Sequence, residues 1–269
     1  MRDRQQAATA REVESKSSAF ADLLRGYRFT VCDTPAAFEA ALEVRRGVYN
    51  GACGYDVPVP DPYDARSWLL LAEHVESGET AGTMRITPRS LGRLEAEEYF
   101  WLPPRLRSPK VVEVNRFAIL PAHRKTEKLL PTVSFGLFKL MINFVMGRLG
   151  IDYIVVCSKE ERIWTYEWLR FQRSGLVARY EKLGNSEHEL LTMDIRRGLR
   201  EHRDHRLWEF LFESTLPELI IPDTAPGLGP NGAKRLEPGV WDRHMTRRPD
   251  DENDKVGAAG VHPVHSWVS

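Results

Sequence analysis

Cysteine is scarce in this 269-residue chain, and neither sign of charge predominates. The three cysteines, Cys32, Cys53 and Cys157, form no C-x-x-C pair, which excludes a disulfide framework or a zinc knuckle and favours a reducing, cytoplasmic setting. The 38 Lys and Arg residues equal the 38 Asp and Glu residues, which excludes a globally basic nucleic-acid-binding protein. A charged partner must therefore be bound by a local patch of charge.

Long hydrophobic segments are also few. The beginning of the chain holds no apolar core of about seven residues, so no secretory signal is expected, and residues 1–20 are predicted to be a disordered lead-in. Leu129–Gly147 has membrane-like hydropathy, but Lys139 lies at its centre and Pro131 interrupts its start. We therefore predict a buried helix and no transmembrane segment. The histidines lack further ligands at metal spacing, so no metal is expected.

The hydrophobic pattern predicts an α/β (α+β) fold, in which helices flank a mixed, largely antiparallel sheet. The domain is expected to cover residues 21–200, and residues 201–269 to form one helix and an irregular or disordered tail rich in proline and glycine. The predicted strands are Tyr27–Cys32, Trp68–Ala72, Thr80–Thr87, Val111–Leu120, Ile151–Cys157, Leu176–Lys182 and Glu189–Ile195, and the predicted helices are Pro35–Tyr49, Leu129–Gly147 and Arg162–Ser174.

Four short segments place charged residues where a plain core would need apolar ones. Arg45 shares the apolar stripe of its predicted helix, so it should point inward and need a carboxylate partner. Glu113 and Arg116 would face opposite sides of a regular strand, unless a β-bulge lies between them. The pattern fits either a structural ion-pair network or an active site. The segments are Arg45-x-x-x-Tyr49, Asp61-x-Tyr63-Asp64, Gly82-x-x-Arg85 and Glu113-x-x-Arg116-Phe117.

As an ordered set, these segments resemble the signature of the acyl-homoserine-lactone (autoinducer) synthases and their relatives, the N-acyl amino acid synthases. The resemblance covers about residues 27–197. Tyr49 and Tyr55 stand where that family usually has Phe and Trp, which favours an amino-acid acceptor over a lactone product. The residues that carry the resemblance are Arg45, Tyr49, Tyr55, Asp61, Asp64, Arg85, Phe100, Glu113 and Arg116, with Tyr99 an equal candidate for the position of Phe100.

The resemblance implies a GNAT-like fold, with an opening between the fourth and fifth strands for the pantetheine arm of an acyl donor. Enzymes of that superfamily that use acetyl-CoA bind its pyrophosphate on a glycine-rich loop after the fourth strand, whereas this chain has Arg124-Lys-Thr-Glu-Lys-Leu129 there. The expected partner is therefore acyl carrier protein, with acyl-phosphopantetheine or alternatively acyl-CoA as co-substrate and no tightly bound cofactor. The expected carrier-protein contacts are Arg105, Arg107, Lys110, Arg124, Lys125 and Lys128.

The implied function is transfer of a fatty acyl group from acyl carrier protein to the amine of an amino acid or an amino-acid-derived acceptor. Glu113 is the expected general base, acting directly or through water, and backbone N–H groups at the bulge would polarise the thioester. Asp61 and Asp64 would hold the acceptor ammonium, and Arg85 or Arg116 its carboxylate. Catalysis is thus assigned to Glu113, Arg116 and Asp64, and substrate binding to Arg45, Tyr49, Tyr55, Asp61, Arg85 and Phe100.

Two alternatives remain open at the level of the sequence. One is an acyl-homoserine-lactone synthase that uses acyl-ACP or acyl-CoA, and the other is a non-catalytic domain that binds acylated carrier protein or lipid. A covalent route through Cys157 is disfavoured, because this cysteine lies within an apolar strand with no histidine near it in sequence.

Overall fold

One eight-stranded sheet organises the chain, of which the computed structural model describes residues 22, 24–124, 132–201, 208–213 and 216–222. The strands are β1 (Tyr27–Val31), β2 (Trp68–His74), β3 (Thr80–Pro88), β4 (Val111–Ile119), β5 (Tyr153–Ser158), β6 (Gln172–Tyr180), β7 (Ser186–Asp194) and β8 (Leu219–Ile220). Their order across the sheet is β6-β7-β5-β4-β3-β2-β1-β8. Among the described strands, only the β4–β5 and β1–β8 pairs are parallel, so the largely antiparallel sheet predicted from the sequence is confirmed.

The α-helices within the described residues are α1 (Pro35–Arg45), α2 (Thr132–Gly147), α3 (Glu160–Trp168) and α4 (Ile195–Glu201). Helix α1 begins after Thr34, whose hydroxyl accepts a hydrogen bond from the Ala37 N–H at 3.2 Å, with Pro35 in the first turn. It continues directly into a π-helical turn at Arg46–Ala52. No helix among the described residues is long and apolar enough to cross a membrane.

The two faces of the sheet are covered by different elements. Helix α2 packs on the face that carries Leu70, where it forms most of the hydrophobic core. Helix α1 packs on the opposite face, against Leu69. Arg85 pairs with Leu69, and Glu113 pairs with Thr87, two residues further along β3. Because side chains alternate along a strand, the charged residues Arg85 and Glu113 both lie on the α1 face.

Strands β4 and β5 separate soon after they begin. Pairing between them extends only from Val111–Tyr153 to Glu113–Val155, and no further pair joins the remaining residues of the two strands. We call the space between residues 114–119 of β4 and 156–158 of β5 the β4–β5 opening. It is the opening expected between the fourth and fifth strands, and Glu113 lies at the point where it starts.

The boundary predicted between the last helix of the domain and the strand that follows it was wrong. The helix predicted at Arg162–Ser174 spans Glu160–Trp168, because Arg170 adopts a left-handed conformation with φ of 69° that ends it, and Gln172–Ser174 belong to β6. The predicted lead-in at residues 1–20 lies outside the described residues. Of residues 201–269, the described part includes a π-helical turn at Glu209–Glu213 and the short strand β8.

Candidate active site

Arg45 is the last residue of α1, and its side chain is completely buried, so its predicted inward orientation is confirmed. Its Nη1 donates to Asp64 Oδ1 at 2.6 Å, and its Nη2 donates to Asp61 Oδ2 at 3.0 Å. The two aspartates also fix their own turn: Asp64 Oδ2 accepts from the Asp61 N–H at 2.7 Å, and Asp61 Oδ1 accepts from the Tyr63 N–H at 2.9 Å. The D-x-Y-D segment is therefore a rigid turn, here called the cradle, whose two carboxylates are already placed to bind a guanidinium group.

Arg85 on β3 is also completely buried and connects this cradle to a third carboxylate. Its Nη1 donates to Asp61 and, at 3.2 Å, to Asp64 Oδ1. Its Nη2 donates to Glu95 Oε2 at 2.6 Å, and its Nε to Asn115 Oδ1 at 2.8 Å. Arg85 thus has every nitrogen paired, which leaves it without a free group for a substrate.

Arg116 lies at an irregularity in β4. The pairing between β3 and β4 shifts between Asn115 and Ala118, and Arg116 has a φ of 52°. Its Nε donates to Asp61 Oδ2 at 2.9 Å, and its Nη2 to Glu95 Oε1 at 2.7 Å. The β-bulge predicted from the E-x-x-R spacing is therefore confirmed, and it brings the arginine to the α1 face. Such a conformation is unfavourable for a residue with a side chain, so the surrounding ion pairs must hold it.

Glu95 is the member of this cluster that sequence analysis missed. It begins a short 3-10 turn at Glu95–Glu98, and its two oxygens accept from Arg85 and Arg116. The sequence does contain an indication of it. If Glu113 acts as a base, three inward-facing arginines have only two aspartates to balance their charge. Because buried cations require compensation, a further carboxylate was to be expected.

Glu113 differs from the other carboxylates, because no arginine among the described residues donates to it. It is buried, its Oε2 accepts from the Ala96 N–H at 3.1 Å, and its Oε1 accepts from Asn115 Nδ2 at 3.2 Å. Burial and the negative charge of Glu95 raise the pKa of Glu113 to about 7. Glu113 can therefore exchange a proton near neutral pH.

Asp61 shows the opposite behaviour. Burial alone would raise the pKa of Asp61, but the positive charges of Arg85, Arg116 and Arg45 outweigh burial and hold this pKa below its usual range. Asp61 therefore stays ionised, and its oxygens accept hydrogen bonds from all three arginines. The cluster combines permanently charged groups with one carboxyl that can change its charge.

A cavity lies beside the cluster. Arg116 is partly exposed, with 8% of its side-chain surface accessible, and its Nη1 donates to no described residue. Tyr99 lies on the cavity wall, whereas Phe100 packs into an apolar cluster with Leu102 and Leu106. Tyr99 is thus the better placed of the two candidates. The lining includes Asp61, Glu95, Arg116, Tyr63, Tyr99 and Tyr180.

Tyr49 and Tyr55 border the β4–β5 opening rather than the cavity. Their rings stack with centroids 6.3 Å apart. The Tyr49 hydroxyl donates to the Phe117 carbonyl of β4 at 3.2 Å, and the Tyr55 hydroxyl accepts from Lys159 Nζ at 3.0 Å, directly after β5. The pair therefore bridges the two strands that form the opening.

Of the basic residues expected to bind a carrier protein, the four that the structure describes lie at the two ends of β4. A nine-residue strand such as β4 is about 26 Å long, and it separates those that precede it from the one that follows. Arg105, Arg107 and Lys110 lie before β4 and Arg124 lies after it, while Lys125 and Lys128 lie outside the described residues.

Cys157 on β5 faces the start of the opening but has the properties of a packed thiol. Burial, with a contribution from the charge of Glu113, raises the pKa of Cys157 well above its ordinary value. It therefore remains protonated and is a poor nucleophile. Among the described residues, no group of three or more His, Cys, Asp or Glu side chains could hold a metal ion.

Comparisons with known proteins show the family to which the chain belongs. The family model described as "N-acyl amino acid synthase FeeM" matches residues 43–194, more than half of the chain. The structure of FeeM, an N-acyl amino acid synthase from uncultured soil microbes, is 19% identical, with a TM-score of 0.51, and the match covers 68% of this chain and 97% of FeeM.

A second similar structure is that of BjaI, a CoA-dependent acyl-homoserine lactone synthase solved with MTA. It is 17% identical, with a TM-score of 0.53, and the match covers 71% of this chain and 92% of BjaI. No curated protein sequence matches the chain. The structural likenesses show a shared fold, and the family model shows the family. The chain belongs to the FeeM family of N-acyl amino acid synthases and is an acyltransferase with a GNAT-like fold.

Proposed function

We propose that this enzyme transfers a fatty acyl group from the phosphopantetheine of an acyl carrier protein to the α-amine of an amino acid. The observation that carries the proposal is the place of Glu113. It is the last residue of β4 paired with β5 before the opening, and its pKa of about 7 suits a general base at neutral pH. The acyl donor would lie in the opening and the acceptor in the neighbouring cavity.

The cavity suits an acceptor that carries a carboxylate. Arg116 lines it and has Nη1 available, and a guanidinium group binds carboxylates well. Asp61 and Glu95 also line the cavity, so an ammonium group would meet negative charge there. A molecule with both groups on one carbon atom, as in an α-amino acid, matches this arrangement.

The remaining members of the cluster hold the site in place. Asp64 is 1% exposed, and its oxygens already accept from Arg45, Arg85 and the Asp61 N–H. Arg45 and Arg85 are completely buried. We therefore assign these three residues to positioning Asp61 and the bulge, rather than to direct contact with either substrate.

The reaction needs a neutral amine and an exit for the thiolate. Glu113 takes a proton from the acceptor ammonium, directly or through water, so that the nitrogen lone pair can attack the thioester carbonyl carbon. A C–N bond forms and the C–S bond breaks. The nitrogen loses a second proton and the departing thiolate gains one, which gives an amide and free pantetheine thiol. Glu113 then releases its proton to solvent.

Two observations support a carrier protein rather than CoA as the donor. The segment after β4, which begins at Arg124, lacks the glycines that let a backbone wrap a pyrophosphate closely. Arg124 and Lys159 lie beyond the carboxyl ends of β4 and β5, on the side where the opening widens. Cations there suit the single phosphate of phosphopantetheine and an acidic partner surface.

The test uses the purified enzyme with one acyl chain carried either on acyl carrier protein or on CoA. Each donor is supplied with a mixture of amino acids or with S-adenosylmethionine, and the products are identified by mass spectrometry. We expect an N-acyl amino acid from the carrier protein and at least 100-fold less from Glu113→Gln, within the range for loss of a general base. A lactone product would favour the autoinducer alternative, and no acylated product from any combination would refute the proposal.

A further inference from the structure

Tyr180 carries a buried hydroxyl group that the reaction described above does not use. It is the last residue of β6, with 4% of its surface exposed, and it lines the cavity. Among the described residues, no nitrogen or oxygen atom pairs with its hydroxyl, and only the Cys157 thiol, a weak acceptor, is within hydrogen-bonding reach. Buried hydroxyls are normally paired, because an unpaired one loses its hydration without compensation. A ligand that accepts a hydrogen bond from the Tyr180 hydroxyl would compensate for this lost hydration.

The ring of Tyr180 is held in one position from two sides. Tyr99 stacks on it with centroids 3.8 Å apart and planes inclined by 20°, and His188 lies 4.6 Å away. A rotation of the side chain would break both contacts. The hydroxyl is therefore a preorganised hydrogen-bond donor, which costs little to orient when a substrate arrives.

Strand pairing places Tyr180 on the same face of the sheet as the reacting groups. Glu113 is opposite Val155, and Cys157 is two residues further along β5 on the same face. Cys157 pairs with Leu190 of β7, and His188 lies two residues away on the same face. His188 pairs with Ala178 of β6, and Tyr180 is two residues beyond Ala178, again on the same face. The phenol therefore reaches back toward the start of the β4–β5 opening.

The ionisable groups that face the Tyr180 hydroxyl are Cys157, Glu113 and Glu95. Burial, followed by the charges of these groups, raises the pKa of Tyr180 far above its ordinary value, so its proton stays on oxygen at neutral pH. The Cys157 thiol is only a weak acceptor. The hydroxyl is thus a permanent donor beside the proposed base, in the place where the thioester must lie.

We infer that the Tyr180 hydroxyl donates a hydrogen bond to the thioester carbonyl oxygen as the amine adds to it. This inference rests on the proposed function. When the C–N bond forms, the carbonyl π electrons move to oxygen, and Tyr180 stabilises that negative charge without giving up its proton. When the C–S bond breaks, the charge leaves with the thiolate, which takes the proton lost by nitrogen. Tyr180 ends the cycle unchanged.

The experiment compares Tyr180→Phe with Tyr153→Phe in the full-length enzyme. Tyr153 packs against the same apolar cluster as Tyr180 but does not line the cavity, so it controls for the loss of a hydroxyl in that cluster. For Tyr180→Phe we expect kcat to fall about 100-fold, as for other single oxyanion donors, with the KM of each substrate within about twofold of wild type. Tyr153→Phe should retain wild-type kcat.

Two further readouts separate this role from others. Because the removed hydroxyl has no partner other than the weakly accepting Cys157 thiol, the melting temperature of Tyr180→Phe should lie close to that of wild type. The pH below which its rate falls, here called the acid limb of the pH profile, should be the same as in wild type, since Glu113 is unchanged. A kcat within twofold of wild type, or a shifted acid limb, would overturn the inference while leaving the proposed function intact. A wild-type enzyme that forms no amide would overturn both.

Discussion

Glu113 and Glu95 share one hydrogen-bond donor, the side-chain amide of Asn115. Its Nδ2 donates to Glu95 Oε2 at 2.9 Å and to Glu113 Oε1 at 3.2 Å. Glu95 is also paired with two arginines, whereas among the described residues Glu113 accepts only from this amide and the Ala96 N–H. Two carboxylates so close together cannot both ionise freely, and the one without an arginine is the one whose pKa rises.

The first prediction concerns pH. Because Glu113 acts as a base only when ionised, kcat/KM for the acyl donor should increase with pH below about 7 and level off above it. Initial rates between pH 5 and pH 9 measure this limb. Glu113→Gln should lose it together with most of the activity. A wild-type profile that is flat between pH 5.5 and pH 8 would contradict the assignment of Glu113.

The second prediction uses Glu95→Gln. Removing this negative charge takes away a cause of the raised pKa and leaves Arg85 and Arg116 to act more strongly on Glu113. The acid limb should therefore move to lower pH. The variant will also be less stable, because two buried cations lose a carboxylate. Rates should be measured well below its melting temperature. A limb that stays in place, or moves upward, would show that Glu95 does not act on the base.

The third prediction separates two neighbouring arginines. Arg45→Ala should lower the free energy of unfolding by about 3–5 kcal/mol, because Asp61 and Asp64 each lose one of their buried arginine partners. Arg46 also forms ion pairs, but its side chain is 35% exposed, so Arg46→Ala should cost no more than about 1 kcal/mol. Urea unfolding of both variants measures the difference, and equal losses would place Arg45 outside the cluster.

The fourth prediction locates the carrier protein. Arg124→Glu, beyond the carboxyl end of β4, should raise the KM for acyl carrier protein about tenfold, and added salt should have a similar effect on wild type. Arg105→Glu, before the start of β4, should change this KM by less than twofold. Steady-state kinetics with the carrier protein as the varied substrate provide the comparison. The reverse result would place the docking surface at the other end of the strand.

The sequence predicted the parts of the site whose spacing is local. Arg45 was assigned to the buried face from its helical stripe, and the bulge at Arg116 from the three-residue step to Glu113. Each prediction depends only on how side-chain direction repeats along a single helix or strand. Family resemblance then supplied the order of the motifs, which the structure brings to one face of the sheet.

The residues that were missed are those placed by long-range packing. Glu95 lies in a short acidic turn without periodicity, and Tyr180 ends a strand whose side chains are mostly exposed. Glu95 and Tyr180 come to lie beside β4 through the tertiary fold on the α1 face, and not through a pattern within their own segments. The basic residues show the converse: Arg105 and Arg124 are near in sequence but are separated by the length of β4.

The assignment of the two substrate sites is tested most directly by a structure of the enzyme with an acyl-pantetheine in which an amide replaces the thioester. We expect the pantetheine arm in the β4–β5 opening, between residues 114–119 and 156–158, with its carbonyl carbon beside Glu113. An arm bound elsewhere on the protein, or strands β4 and β5 paired beyond Glu113 so that the opening is closed, would contradict this assignment.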